Sequence, residues 1–573
     1  MIIEFWVFVK RKQPFGGKIH KRDTLMKRME KRIDRMSQQL ISPVPEHTQV
    51  TEMNTPSTEG AALPRGEIAP PLTLQQRFLR TAALLTTVYL CAMFLGHPLI
   101  FTRFYFNITE TKQAYFLIAS GVYLLLLLFA RIALPPDFGV ARSRSKLHPA
   151  VALLFAFFAV SLIGSLISPY RGEAFFGENN RYQGLFTLFC YACVVFALSR
   201  QDIDLRWPER AFLLGACIVS LLGVLNHFSV DPFGFYNNLR ASDRGRFLST
   251  IGNADFYASY IGMAFAVSFG AFLRAAGRRK QLLATLALAL TSFGVLVAGS
   301  DSAALGQIAV FALMPLLLFS DATALRRMPL GWSIFFLSAL VFGLLSDAFH
   351  SVTYLSSFFI VLSRPVISLL LSAIALAFWF ALLFTKPDRL SRAKRPYALL
   401  LVGIVLLGAI ALVLLNTVLR GLPLGSLERY LHFSESWGTD RGKIWTFVLR
   451  VYERLPLTQK LFGASSGGLF HADAVKPLFS DAALDTAHNE YLQYLVTNGA
   501  LGLGCYLAAL VLALRAGFRR SGSEPVYRGL TLAVVAYAVQ ASVNIAQPMT
   551  TPILFVLIGV LISKLPETAS SKV

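Results

Sequence analysis

Residues 396–417 read PYALLLVGIVLLGAIALVLLNT, an unbroken apolar run without a charged side chain. At 1.5 Å per residue such a run crosses the roughly 30 Å hydrocarbon core as a helix, the form that satisfies its own backbone groups where no water can. Just before it, Lys386, Arg389, Arg392, Lys394 and Arg395 crowd a short connection. Cations gathered beside a span stay on the cytoplasmic side. One stretch thus gives both the class of the protein and the direction of one crossing.

The rest of the chain repeats the pattern. Hydrophobic residues make up 55% and charged residues 15%, and the mean hydropathy is +0.56, so soluble-enzyme readings are set aside. Apolar runs predict helices over 79–101, 114–134, 149–168, 183–199, 209–228, 251–273, 281–299, 302–320, 330–347, 364–385, 396–417, 492–515, 528–546 and 549–564. The expected fold is an all-α polytopic membrane protein of about fourteen transmembrane helices. Four regions follow: a basic cytoplasmic tail and flexible linker over 1–75, a transmembrane domain of about eleven helices over 76–417, a large and partly helical extracytoplasmic loop over 418–491, and C-terminal helices with a short tail over 492–573.

The net charge is +22. A nucleic-acid partner would need those charges on one exposed face. Instead they sit in alternate connections: Arg142, Arg144 and Lys146; Arg200, Arg206 and Arg210; Arg274, Arg278, Arg279 and Lys280; Arg326 and Arg327; the 386–395 cluster; Arg515, Arg519 and Arg520. That pattern sets topology, puts both termini in the cytoplasm and makes the bilayer the expected partner, with no nucleic acid. Residues 1–35 hold eleven Lys or Arg against four Asp or Glu, and 41–72 are rich in Pro, Thr, Ser and Glu, which reads as a solvated basic segment and a linker. Ile2–Val9 is too short for a secretory signal and precedes the charges. The five cysteines fall in or beside apolar spans, which disfavours disulfides and a cysteine metal site.

Against the charge rule, the outward connections keep arginines: Arg171 and Arg181, then Arg240, Arg244 and Arg246, then Arg364, and Arg441. Guanidinium groups held on the unfavoured side point to an anionic ligand. His488 stands at the mouth of a hydrophobic segment after the longest hydrophilic stretch, within AHNEYLQYL. A titratable imidazole at the membrane surface reads as chemistry. Asp485-Thr486 just before it is the expected helix cap, Asn489 and Tyr491 are expected to orient the loop, and Glu490 is either a supporting partner or a solvated charge. Arg441 opens an amphipathic stretch with Ile444, Trp445, Val448, Val451 and Tyr452 at helical spacing.

These stretches resemble the O-antigen ligase and polymerase superfamily of bacterial membrane glycosyltransferases. The resemblance rests on RGRFLSTIGNADFYASYIG at 244–262, TDRGKIW at 439–445, LFGASSGGLF at 461–470 and AHNEYLQYLVTNGALGLGCYL at 487–507, with NNRYQGLFTLFCY at 179–191 and GSDSAALG at 299–306 as weaker matches. It covers roughly 170–560. The chain departs from the family at Ser300-Asp301, where members often carry Ser-Arg, and Asp301 is read as a cap for the helix that follows.

The resemblance implies a GT-C-like, metal-independent transferase without cofactor or nucleotide sugar. Such an enzyme moves a glycan from an undecaprenyl-diphosphate carrier to a glycan, lipid or protein acceptor at the outer face of the cytoplasmic membrane. It assigns Arg246, Arg441 and Arg181 to the donor diphosphate and His488 to the acceptor nucleophile, with inversion expected at the anomeric carbon. Ligase, polymerase and protein O-oligosaccharyltransferase share this donor. A lipid-linked glycan flippase is the rival of another class, and it would hold charges within its spans. A non-catalytic assembly protein would have no need of His488.

Overall fold

The computed structural model describes residues 73–134, 146–177, 181–468 and 486–564. The readings made for the N-terminal tail and linker, for Arg142 and Arg144, for Asn179 and Asn180, for Leu469 and Phe470 and for Asp485 lie outside these residues. The helices in chain order are α1 (Leu74–Leu99), α2 (Ile108–Ala133), α3 (Pro149–Ile167), α4 (Leu185–Ser199), α5 (Arg206–His227), α6 (Ala254–Arg274), α7 (Arg278–Ala298), α8 (Asp301–Leu318), α9 (Ala322–Ala348), α10 (Pro365–Leu383), α11 (Lys394–Asn416), α12 (Trp437–Arg454), α13 (Glu490–Thr497), α14 (Gly499–Ser523), α15 (Val526–Gln540) and α16 (Thr551–Leu561). Among the described residues eleven helices are long and apolar enough to cross a membrane, and α4, α15 and α16 are shorter apolar helices. The fold is all-α and polytopic, with one two-residue hairpin pairing Phe247–Leu248 with Gly252–Asn253 among the described residues.

Local chemistry sets the helix ends. Thr73 and Gln76 form a reciprocal capping box ahead of α1. Prolines occupy the first turn of α3 and α10, where a missing N–H costs nothing. Gly299 closes α7 in the left-handed region, at φ 60°. The cap of α8 is Ser300, whose side chain accepts from the Ala303 N–H, and Asp301 only follows in the first turn. This corrects the expectation for Asp301.

Helix α6 is the axis of the bundle, for its whole apolar window is buried. It meets α15 where small residues let the backbones touch: a Cβ added at Gly270 would lie 2.7 Å from the Gly529 Cα. At the other extreme α11, the run that decided the class, has no buried residue and is tied inward by the Tyr397 hydroxyl, which donates to the Ala312 carbonyl at 2.8 Å.

Three sequence expectations are revised. The span expected over 492–515 is two helices, because Asn498 leaves the helical region and Gly499 takes φ 73°. A Cβ at Gly499 would lie 2.3 Å from the Leu461 carbonyl. The span expected over 528–546 stops at Gln540, and 541–550 form a buried non-helical turn in which Asn544 and Gln547 bond to their own backbone. Helix α2 begins at Ile108, earlier than 114, and so carries Lys112, which is fully buried. The Lys112 ammonium donates to the carbonyls of His97 and Pro98 at 2.9 Å and of Ile100 at 3.2 Å. These are orphan groups at the end of α1, where a cation is favoured.

The basic connections converge at one end of the bundle. There Glu209 pairs with Arg274, Arg528 with Asp321 at 2.8 Å, and Arg327 donates to the Ala275 carbonyl at 2.7 Å. The opposite end of α6, at Ala254, lies in the 244–262 stretch that carries part of the family resemblance.

Candidate active site

Arg441 is held by a turn that side chains rarely adopt. Gly438, Thr439 and Asp440 all have left-handed dihedrals, with φ of 59°, 57° and 66°, which for the two non-glycine residues is backbone strain of the kind found at functional sites. A Cβ at Gly442 would lie 1.9 Å from the Ser434 carbonyl, so the turn also requires glycine on its far side. The Arg441 side chain is 15% exposed. Its Nη1 donates to the Gly438 carbonyl at 3.0 Å and to Thr439 Oγ1 at 3.3 Å, and its Nη2 donates to Asp255 Oδ2 at 3.4 Å.

Asp255 begins α6 and is fixed from several sides. The Asn253 side chain caps its N–H at 2.9 Å, Ser302 Oγ at the start of α8 donates to Asp255 Oδ1 at 3.0 Å, and Asn544 Nδ2 donates to its carbonyl at 2.9 Å. Sequence reasoning did not single out Asp255, Ser302 or Asn544. The available signal was Asn253-Ala254-Asp255 inside the 244–262 stretch and the amides interrupting the apolar run around 544.

His488 sits in a second strained turn, at φ 45°, and is half-buried. Its neighbours are pinned. Ala487 N–H donates to Gln493 Oε1 at 2.8 Å. The cap of α13 is Asn489, which accepts from the N–H groups of Tyr491 at 3.0 Å and Leu492 at 3.1 Å, in the place expected for Asp485-Thr486. The Glu490 N–H donates to the Ala541 carbonyl at 2.8 Å. The Tyr491 hydroxyl donates to the Ala538 carbonyl at 2.5 Å.

Glu490 is no solvated charge. It is 1% exposed and accepts from the Tyr506 hydroxyl at 2.5 Å and the Tyr537 hydroxyl at 2.8 Å. Burial pushes its carboxyl up to about 7, although both phenols favour the ionised form. Tyr537 in turn shares a 2.7 Å hydrogen bond with Thr551. The His488 turn is therefore anchored to α14, α15 and α16 through its third residue.

The two turns are joined by a small core of their own. Phe447, Val448 and Val451 of α12 bury against Ala487 and Val496, with Ile444, Tyr452, Leu455 and Leu492 around them. The expected amphipathic face of α12 is thus the face that carries the His488 turn. Trp445 instead joins Trp437 and Phe433 in an aromatic cluster, with centroids 5.2 Å and 6.5 Å away. The segment 541–544 makes the second link, since it accepts from Glu490 at Ala541 and donates to Asp255 from Asn544.

The other two arginines lie differently. Arg246 ends a 3-10 turn ahead of the hairpin that leads to Asp255. It is exposed and makes no ion pair among the described residues. Arg181 is half-buried beside Tyr182, which takes φ 56° and hydrogen-bonds Glu110. Ser466 Oγ donates to the Gln183 carbonyl at 3.4 Å, and Ala464 and Ser465 donate to the carbonyls of Val496 and Thr497 at 2.8 and 3.0 Å. Arg181 is thereby linked to the C-terminal end of α13. Arg441 is linked to its N-terminal side.

Residues 351–507 match the family described as O-antigen ligase. The match includes Arg441 and His488 with the helices that hold them. It leaves Arg181, Arg246 and Asp255 outside. No curated protein matches the chain. The matched domain and the many-helix membrane fold are consistent with the resemblance to the O-antigen ligase and polymerase superfamily, whose members are membrane glycosyltransferase-like enzymes.

Proposed function

We propose that the protein transfers a glycan from an undecaprenyl-diphosphate carrier to an acceptor at the outer face of the cytoplasmic membrane, in the manner of an O-antigen ligase. Both termini then lie in the cytoplasm, and 418–491 form the extracytoplasmic loop. The observation that supports this reading is the coupling of a half-buried, ion-paired arginine to a strained histidine turn through one shared apolar core.

In the reaction the acceptor oxygen attacks the anomeric carbon as the bond from that carbon to the diphosphate oxygen breaks. His488 takes the acceptor proton. The diphosphate leaves with the bonding pair, and its growing charge is met by Arg441, Arg246 and Arg181. A single displacement inverts the anomeric centre and needs no enzymic nucleophile. Asn489, Glu490 and Tyr491 hold the turn and do no chemistry. The buried charges within or beside the spans do not favour a flippase, because Lys112 is consumed by backbone carbonyls and Arg528 by Asp321.

A ligase, a polymerase and a protein O-oligosaccharyltransferase differ here only in the acceptor. Reconstitution of the full chain in vesicles with lipid-linked glycan from its own strain tests the reading. Release of undecaprenyl diphosphate dependent on an added envelope acceptor is expected, and the acceptor that supports it chooses among the three. Intact donor in the presence of every acceptor class would overturn it.

A further inference from the structure

We propose that Asp255 is a positioning residue for glycan transfer: it fixes the direction in which the Arg441 guanidinium presents its remaining donors to the departing diphosphate. The inference rests on the reading of Arg441 as a diphosphate ligand.

Asp255 is built as an anchor. Its N–H is bound by Asn253, its carbonyl by Asn544, Oδ1 by Ser302 and Oδ2 by Arg441. Those partners come from the hairpin, the 541–550 turn, α8 and α12. With both carboxylate oxygens engaged, Asp255 is a poor candidate for accepting a substrate proton. What it does is hold one nitrogen of Arg441 while Gly438 and Thr439 hold another. The Arg441 Nε has no hydrogen-bond partner among the described residues. A guanidinium has five N–H donors in one plane. Fixing two of its nitrogens therefore fixes where the remaining donors point.

The size of the interaction decides what it is for. A single ion-pair contact at 3.4 Å, with the aspartate side chain 33% exposed, adds little to stability. The same contact matters to a transition state, because donors already in place need not reorganise as charge develops. An arginine freed of Asp255 would keep its charge and lose its direction. The expected cost lies in turnover more than in donor binding.

Full-length protein in nanodiscs is given the strain's own lipid-linked glycan, and released undecaprenyl diphosphate is followed over a range of donor concentrations. Asp255→Asn should lower kcat at least about tenfold with KM within about threefold and an unchanged melting temperature. Asp255→Glu should recover part of the loss. In the charge swap, Asp255→Arg with Arg441→Asp, the pair is restored in reverse, so the melting temperature should match the parent while turnover stays low.

Parental kcat in Asp255→Asn would overturn the proposal and leave Arg441 as assigned, whereas recovery of turnover in the swap would overturn it together with the place of Arg441 at the diphosphate. Parental turnover in Arg441→Ala would overturn the diphosphate reading itself, and the positioning role with it.

Discussion

Asp255 and Arg441 are separated by 186 positions in the chain and meet at 3.4 Å, where the first turn of α6 faces the first turn of α12. The contact connects α6, the most buried of the eleven span-length helices, to α12. It brings together two of the stretches that carry the family resemblance, 244–262 and 439–445.

Arg441→Lys should lose most of the activity while keeping the positive charge. An ammonium cannot hold Asp255, Gly438 and a phosphate oxygen in one plane as a guanidinium does. Donor turnover is expected to fall about tenfold to a hundredfold, measured as undecaprenyl diphosphate release. Parental turnover would show that charge alone suffices.

Arg246 is exposed and makes no ion pair among the described residues, so its removal should not unsettle the fold. Arg246→Ala is expected to leave the melting temperature within about 1 °C, since an exposed site is worth within about 0.5 kcal/mol, and to weaken transfer severalfold. A fall in melting temperature with normal transfer would make it a helix anchor only.

The carboxyl of Glu490 gives a pH dependence with a definite sign. Burial raises its folded-state value from the ordinary carboxyl range to about 7, so between those values the folded protein holds a proton that the unfolded chain has released. Stability from this group is fully present below about 4.5 and is lost as pH rises to about 7. Glu490→Gln should flatten that part of the melting-temperature profile. An unchanged slope would mean that other groups set it.

Gly499 sits at φ 73° with the Leu461 carbonyl oxygen 2.3 Å from where a Cβ would lie. Gly499→Ala combines left-handed strain with a clash, and should cost about 2 kcal/mol or more, read as a lower melting temperature in detergent. A parental melting temperature would mean that the break between α13 and α14 can relax.

Much of this was legible in the sequence, for physical reasons that also mark where reading fails. Apolar length locates spans such as α11 because a membrane helix must be long and self-satisfied. It cannot find the break at Asn498-Gly499 or the turn at 541–550, since glycine, alanine and isolated amides belong equally to membrane helices. The amphipathic spacing of Ile444, Val448, Val451 and Tyr452 indicated a face without naming its partner, which is Ala487 and Val496. Lys112 falls outside the span expected over 114–134, and only the carbonyls of His97, Pro98 and Ile100 around its ammonium account for its place inside the helix. Asp255 was passed over because its meaning depends on a contact across 186 positions.

The most direct test of transfer at the outer face replaces His488 by Ala in the native host at unchanged membrane levels, and compares surface glycan and lipid-linked donor with the parent strain. The expected result is loss of surface glycan with donor accumulated on the outer leaflet. Unchanged glycan would contradict a role for His488 in the chemistry, and donor trapped on the inner leaflet would make the protein a flippase.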